Sequence, residues 1–256
     1  VDWIHVLILA LIEGITEFLP ISSTGHLILL SKALGIIEDS FVQNFNIIIQ
    51  GGAILAILTL YWRRFFPIQK RFYLLLLTSF LPTGFIGFLL KDLLDSLLSQ
   101  VSVVAIALIL GGILLIWLDK RTSRDHISIQ ELSFKQAFFI GVIQSLALIP
   151  GTSRSAAAIL GGLWLGMDKK SATEYSFLLG LPTLGAASLY KTIKILPQVT
   201  PNQWSSLALG TLLSFLFAVG AIKLLTTIVA RYGLYHFGYY RIALGAAVLG
   251  ASLWGI

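Results

Sequence analysis

Glu13-Gly-Ile-Thr-Glu17-Phe-Leu-Pro20-Ile-Ser22-Ser23-Thr24-Gly25-His26 interrupts a stretch that is otherwise apolar from Ile4 to Leu30. The two carboxylates stand at i, i+4, which stacks them on one helix face about one turn apart. Pro20 then stops the helix, and the Ser/Thr run that follows suits the start of another. A carboxylate pair set among apolar residues costs several kcal/mol in lipid unless a cation or proton accompanies it, so it marks a functional site by default. Solvated interfacial glutamates are the plainer alternative, disfavoured by the apolar residues on both sides. A second apolar stretch, Phe134 to Leu165, has the same grammar around Gln144-Ser-Leu-Ala-Leu-Ile-Pro150-Gly151-Thr152-Ser153-Arg154-Ser155. Non-helical backbone at membrane depth is tolerated only where protein or a water-filled cavity satisfies it. Paired broken segments therefore predict re-entrant hairpins lining a site.

The rest of the chain supplies the membrane. Of 256 residues, 57% are hydrophobic and 12% charged, which excludes an ordinary soluble domain, where about 25% are charged. Uncharged runs of bilayer-spanning length cover 41–62, 72–90, 101–118, 204–222 and 242–256, with a shorter sixth at 175–190. Three spans follow each broken segment, and the two polar clusters lie about 130 residues apart, so the chain reads as an internal repeat. Basic residues Arg63, Arg64, Lys70, Arg71, Lys120, Arg121 and Arg124 mark cytoplasmic loops, with Lys169, Lys170 and Arg231 on the same side. Three spans per unit turn the second unit over. The expectation is an all-α polytopic membrane protein of one domain, 1–256. It would hold two inverted-topology repeats, about 1–118 and about 132–256, each a re-entrant helical hairpin plus three transmembrane helices. Lys32, Lys191 and Lys194 fall outside in this arrangement and count mildly against it. Trp3 to Ile12 has the look of a secretory h-region, but Glu13 and the lack of an A-x-A site argue otherwise. The net charge of +6 resides in these loop clusters and does not imply nucleic acid. With no cysteine, disulfide and thiolate chemistry fall away.

If the hairpin tips meet, the site gathers Glu13, Glu17, Arg154, His26 and the hydroxyls of Ser22, Ser23, Thr24, Thr152, Ser153 and Ser155. Helix N-termini, hydroxyls and a guanidinium suit phosphate or pyrophosphate. Glutamates repel such a ligand unless a hard divalent ion bridges them, so the mixture implies Mg²⁺ or Ca²⁺ held by few carboxylates plus substrate oxygens. Arg154 must have a buried anionic partner, and a bridge to Glu13 or Glu17 locking the repeats together is a structural alternative. His26 is a general base, proton carrier or nucleophile. Asn46 and Gln50 suit hydrogen bonds to the hairpins, Gly51 and Gly52 close helix approach; packing explains all four. Glu174 reads as interfacial, and His5, His126 and His236 have no assigned role.

The two motifs, with Phe45-Asn-Ile-Ile-Ile-Gln50 and Phe177-Leu-Leu-Gly-Leu-Pro182, resemble the undecaprenyl-diphosphatase, or bacitracin-resistance protein, family across the whole chain. The resemblance implies a bacterial inner-membrane hydrolase that converts undecaprenyl diphosphate to undecaprenyl phosphate and phosphate, recycling the carrier for peptidoglycan synthesis. It implies a site open to the outer face, a required divalent metal, and membrane lipid as the partner; a homodimer is allowed. Glu13, Glu17, Ser22, Ser23, Thr24, His26, Ser153 and Arg154 match the family's functional residues. On this reading Glu13 and Glu17 hold the metal or relay protons, while Arg154, Ser22, Thr24, Ser153, Ser155 and the helix ends bind diphosphate. His26 assists attack by Ser23 or water, and the nucleophile stays open among Ser, His and water. The chain departs from the family where Ala156, Ala157 and Ala158 replace a Gly, a small residue and a Thr, and where Asn46 replaces a commoner acid. A transporter or flippase of an anionic lipid or phosphate-bearing solute is the rival, since broken helices in inverted repeats describe it equally well.

Overall fold

A computed structural model describes residues 2–97, 100–120 and 127–253. Arg121, Arg124 and His126, and the end of the last expected span, lie outside the described residues. All elements among the described residues are helical, apart from one isolated bridge between Ile127 and Met167. Thus the chain is an all-α, polytopic membrane protein.

The first broken segment is a helix pair, α1 (Trp3–Thr16) and α2 (Ser23–Ala33), joined by the Pro20 turn. The first expected span is split at Ile49 into α3 (Ser40–Ile48) and α4 (Gln50–Leu60), and a short α5 (Trp62–Phe65) follows. Next come α6 (Lys70–Leu89), α7 (Lys91–Leu97) and α8 (Val101–Lys120). The second broken segment is α9 (Phe134–Gln144), a 3₁₀ turn and α10 (Arg154–Trp164). It leads into α11 (Lys169–Ile195), α12 (Pro201–Tyr232) and α13 (Tyr235–Leu253). Side-chain caps fix several starts. Asp2 accepts from His5 N–H, Asp39 from Phe41 and Val42 N–H, and Ser133–Gln136 and Thr200–Gln203 form capping boxes.

Among the described residues, four helical stretches are long and apolar enough to cross a membrane: Ser40–Leu60, Lys70–Leu89, Val101–Lys120 and Pro201–Tyr232. The short expected span at 175–190 belongs to the 27-residue α11, so its flanking lysines and Glu174 continue the helix instead of bounding it. Leu74, Leu77, Leu81, Phe85 and Phe88 are exposed along one side of α6, as are Ile106, Leu110, Ile113 and Trp117 along α8. Apolar stripes of this kind on a water-soluble protein would aggregate; here they meet lipid.

Polar contacts group the helix ends into two opposite faces. On one face Arg64 pairs with Glu174 at 2.7 Å, Lys169 with Asp119 at 2.8 Å, and Arg71 donates to the carbonyls of Gln130 and Leu132. On the other, Val6, Leu9 and Ala10 of α1 pack with Leu27, Val42, Ile195 and Leu207. The α1–α2 hairpin therefore enters from this second face. The α9–α10 hairpin, closed by Gln136 donating to the Leu165 carbonyl, enters from the first. Packing is exchanged between halves as well, with α1 against α12, α9 against α6, and α8 against α13. Close approach of α8 and α13 depends on glycine, since a Cβ at Gly112 would come within 2.7 Å of the Gly238 carbonyl oxygen.

Candidate active site

Each hairpin turns on a serine forced into left-handed backbone. Ser22 has φ 75° and Ser153 φ 74°, the two non-glycine residues with positive φ among those described. Such a conformation costs about 1–3 kcal/mol and persists only where its surroundings demand it. Both serines cap the helix that follows: Ser22 Oγ accepts from Gly25 N–H and Ser153 Oγ from Ala156 N–H, each at 3.2 Å. Each cap marks the start of a helix, where free backbone N–H groups favour an anion.

A buried carboxylate bridges the two tips. Glu17, 5% exposed, accepts from Arg154 Nη2 at 3.0 Å through Oε1 and from Ser23 Oγ at 2.5 Å through Oε2. Arg154 also donates Nη1–H to the Ser176 carbonyl at 2.7 Å, and its Nε is buried without a partner. Ser155 Oγ donates to the Leu19 carbonyl of the opposite hairpin, and Ser176 Oγ to the Ser155 carbonyl. The bridge between Arg154 and the acidic motif, read from sequence as either structural or catalytic, is present. Gly180 leaves room for it, because a Cβ there would lie 3.0–3.1 Å from the Arg154 guanidinium.

Glu13 is fully buried, and neither carboxylate oxygen has a hydrogen-bond donor. Glu13 stands one helical turn before Glu17, so the two carboxylates are neighbours on the same helix face. Two carboxylates are both acceptors, so this proximity requires a proton or a cation between them. A hard divalent ion fits these residues, though among the described residues no group of three acidic or histidine side chains forms a closed protein cage. Substrate oxygens or water would have to complete its coordination.

His26 shares the motif but faces elsewhere. Its Nδ1 lies 2.7 Å from the Ser22 carbonyl oxygen and its Nε2 2.7 Å from Tyr240 Oη, whereas Ser23 turns to Glu17. Ser153 Oγ is 3.1 Å from Ser155 Oγ. Thr24 is half-buried in the first turn of α2 and Thr152 half-buried ahead of Ser153. Asn46 Nδ2 is 3.5 Å from Ser31 Oγ on α2, a long contact to the first hairpin.

Sequence reasoning missed Arg241. Its guanidinium is fully buried and donates to carbonyls alone: Pro20 from one hairpin turn, Gly151 and Thr152 from the other, and Ala107 and Leu108 of α8, at 2.9–3.3 Å. One side chain thereby satisfies the backbone freed by both proline breaks. An arginine opening the last apolar run was the available signal, masked by its position beside a basic loop.

The whole-chain likeness to known proteins agrees with this geometry. Undecaprenyl-diphosphatase from Bdellovibrio bacteriovorus is 48% identical over 97% of this chain and 95% of its own length. Those of Persephonella marina and Aquifex aeolicus are 45% and 43% identical, covering 94% and 95% of this chain and 96% of each relative. The model of the bacitracin resistance protein BacA family matches residues 6–247, and the chain belongs to that family.

Proposed function

We propose that the chain is an integral membrane phosphatase hydrolysing undecaprenyl diphosphate to undecaprenyl phosphate and inorganic phosphate. The observation that carries this reading is the position of Glu17, which holds an anion-binding arginine from one hairpin and a hydroxyl nucleophile from the other. The names of the relatives support the substrate class. The two hairpins, entering from opposite faces, support inverted-topology repeats. The basic face carrying Arg64, Arg71 and Lys169 supports a bacterial inner-membrane orientation with that face inward.

Arg154 and the N-termini of α2 and α10, with the hydroxyls of Ser22, Thr24, Ser153 and Ser155, bind the diphosphate. The unpartnered Arg154 Nε–H is a donor available to it. Ser23 Oγ attacks the terminal phosphorus while its proton passes along the short hydrogen bond to Glu17. The anhydride P–O bond breaks, the bridging oxygen leaves with undecaprenyl phosphate, and water then cleaves the phosphoserine to release phosphate. Glu13 and Glu17 would hold Mg²⁺ or Ca²⁺, which when bound offsets the repulsion between carboxylates and phosphoryl oxygens. His26 accepts or delivers the proton of the water step.

Phosphate release from purified protein in detergent, with a polyprenyl diphosphate and Mg²⁺, tests this directly. Wild type releases phosphate, and Glu17→Ala and Arg154→Ala do not. No release by wild type, with lipid or phosphate movement retained in vesicles, would favour the transporter reading instead.

A further inference from the structure

The geometry points to Tyr240 as a positioning residue that fixes the direction of the His26 ring. This inference rests on the reading of His26 as a proton carrier. The Ser22 carbonyl can only accept, so the His26 nitrogen 2.7 Å from it, Nδ1, carries a proton. In the neutral ring Nε2 then bears the lone pair, and the group facing it at 2.7 Å is the Tyr240 hydroxyl, which donates. The two rings lie parallel within 5°, with centroids 5.7 Å apart. The imidazole is therefore held by a carbonyl on one side and a hydroxyl on the other, with the two rings nearly parallel and meeting edge to edge, leaving one orientation.

Tyr240 is itself held in place. Its neighbour Arg241 donates to Pro20 of the first turn and to Gly151 and Thr152 of the second. Residues 240 and 241 thus fasten α13 to the acidic hairpin at two adjacent points, one binding backbone and the other binding His26. With Tyr240 45% exposed, the hydroxyl lies at the rim of the bundle, between His26 and the surroundings. It occupies the lone pair that a proton on the reacting water would need, so His26 works as a base only by exchanging this hydrogen bond for one to substrate or water. The Ser22 carbonyl sets the tautomer, and Tyr240 keeps Nε2 facing the position where that exchange is made.

Tyr240→Phe keeps the ring and removes one hydroxyl. With ¹⁵N-histidine-labelled protein in detergent, the His26 Nε2 resonance, assigned by its loss in His26→Gln, moves toward that of an unbonded ring nitrogen. Hydrolysis falls about tenfold in kcat with KM within about twofold. Tyr239→Phe, altering the adjacent exposed tyrosine, leaves both unchanged. An unchanged His26 spectrum in Tyr240→Phe overturns the contact. A changed spectrum with wild-type kcat overturns the positioning role while His26→Gln remains inactive. Full activity in His26→Gln instead removes the reading of His26 on which the inference stands.

Discussion

The two hairpins share a backbone and differ in chemistry. Ser22 and Ser153 have the same left-handed conformation and cap their helices through the same i+3 contact. Nine residues before each stands a buried polar side chain, Glu13 in one and Gln144 in the other. One residue after each stands Ser23 or Arg154. On the proposed mechanism the difference teaches that the two like turns are the scaffold, and that activity comes from what distinguishes them. One hairpin carries Glu13, Glu17 and Ser23 and its counterpart Arg154, which the proposed mechanism uses as carboxylates and nucleophile on one side and anion-binding cation on the other. Two acidic tips would repel each other and the substrate; two basic tips would bind phosphate and hold no cation.

Replacement of Glu17 has the largest effect, because this carboxylate holds both Arg154 of one hairpin and Ser23 of the other. Glu17→Gln leaves the Arg154 charge without its anion and weakens acceptance of the Ser23 proton. A loss of about 10³-fold in kcat/KM is expected in the phosphate-release assay, equivalent to about 4 kcal/mol. Retention of more than about a tenth of wild-type activity would show that the asymmetry is not catalytic. Arg241 should matter equally to both hairpins, since it binds carbonyls of each. Arg241→Met leaves the Pro20, Gly151 and Thr152 turn carbonyls without this donor, and a loss of about 3 kcal/mol or more in stability is expected, read as a lowered melting temperature in detergent.

Much of this was legible in sequence. The acidic motif, the proline breaks and the Thr-Ser-Arg-Ser run carry their chemistry in residue type and spacing, and lipid makes such residues too costly to keep idly. The hairpins and the order of helices followed from them. What escaped was set by tertiary packing. Nothing local marks Arg241 as the residue that satisfies two broken turns, because its partners are backbone carbonyls at sequence distances of 89 to 221 residues. Likewise the spacing of Ser23 and His26 suggests a pair, while the fold sends one to Glu17 and the other to Tyr240. Glu174 reads as interfacial, and in the fold it meets Arg64 near the start of α11; its partner 110 residues away is not legible in sequence.

Gln144→Glu sharpens the comparison by giving the second hairpin the acid of the first. Gln144 Nε2 donates to Thr83 Oγ1, and its oxygen is buried without a partner. A carboxylate there loses the donor and has no second acid to share a cation. The expected cost is about 2 kcal/mol of stability, measured in detergent melts with and without Mg²⁺. A cost abolished by Mg²⁺ would mean that the second hairpin can also bind a cation, and the claimed asymmetry would then be one of side chain alone.

The smallest effect tests the shared part of the scaffold. Serine and alanine bear the same left-handed strain, but alanine lacks the capping oxygen; glycine lacks the cap and is free of strain. At either Ser22 or Ser153, replacement by Ala should cost about 1 kcal/mol, while replacement by Gly should be nearly neutral because relief of strain offsets loss of the cap. The Ala–Gly difference, read from melting temperatures, should therefore be alike at the two sites even where activity is not. A difference present at Ser22 and absent at Ser153 would mean that the strain at Ser153 is imposed by Arg154 and its partners. The turns would then be alike in shape but not in cause.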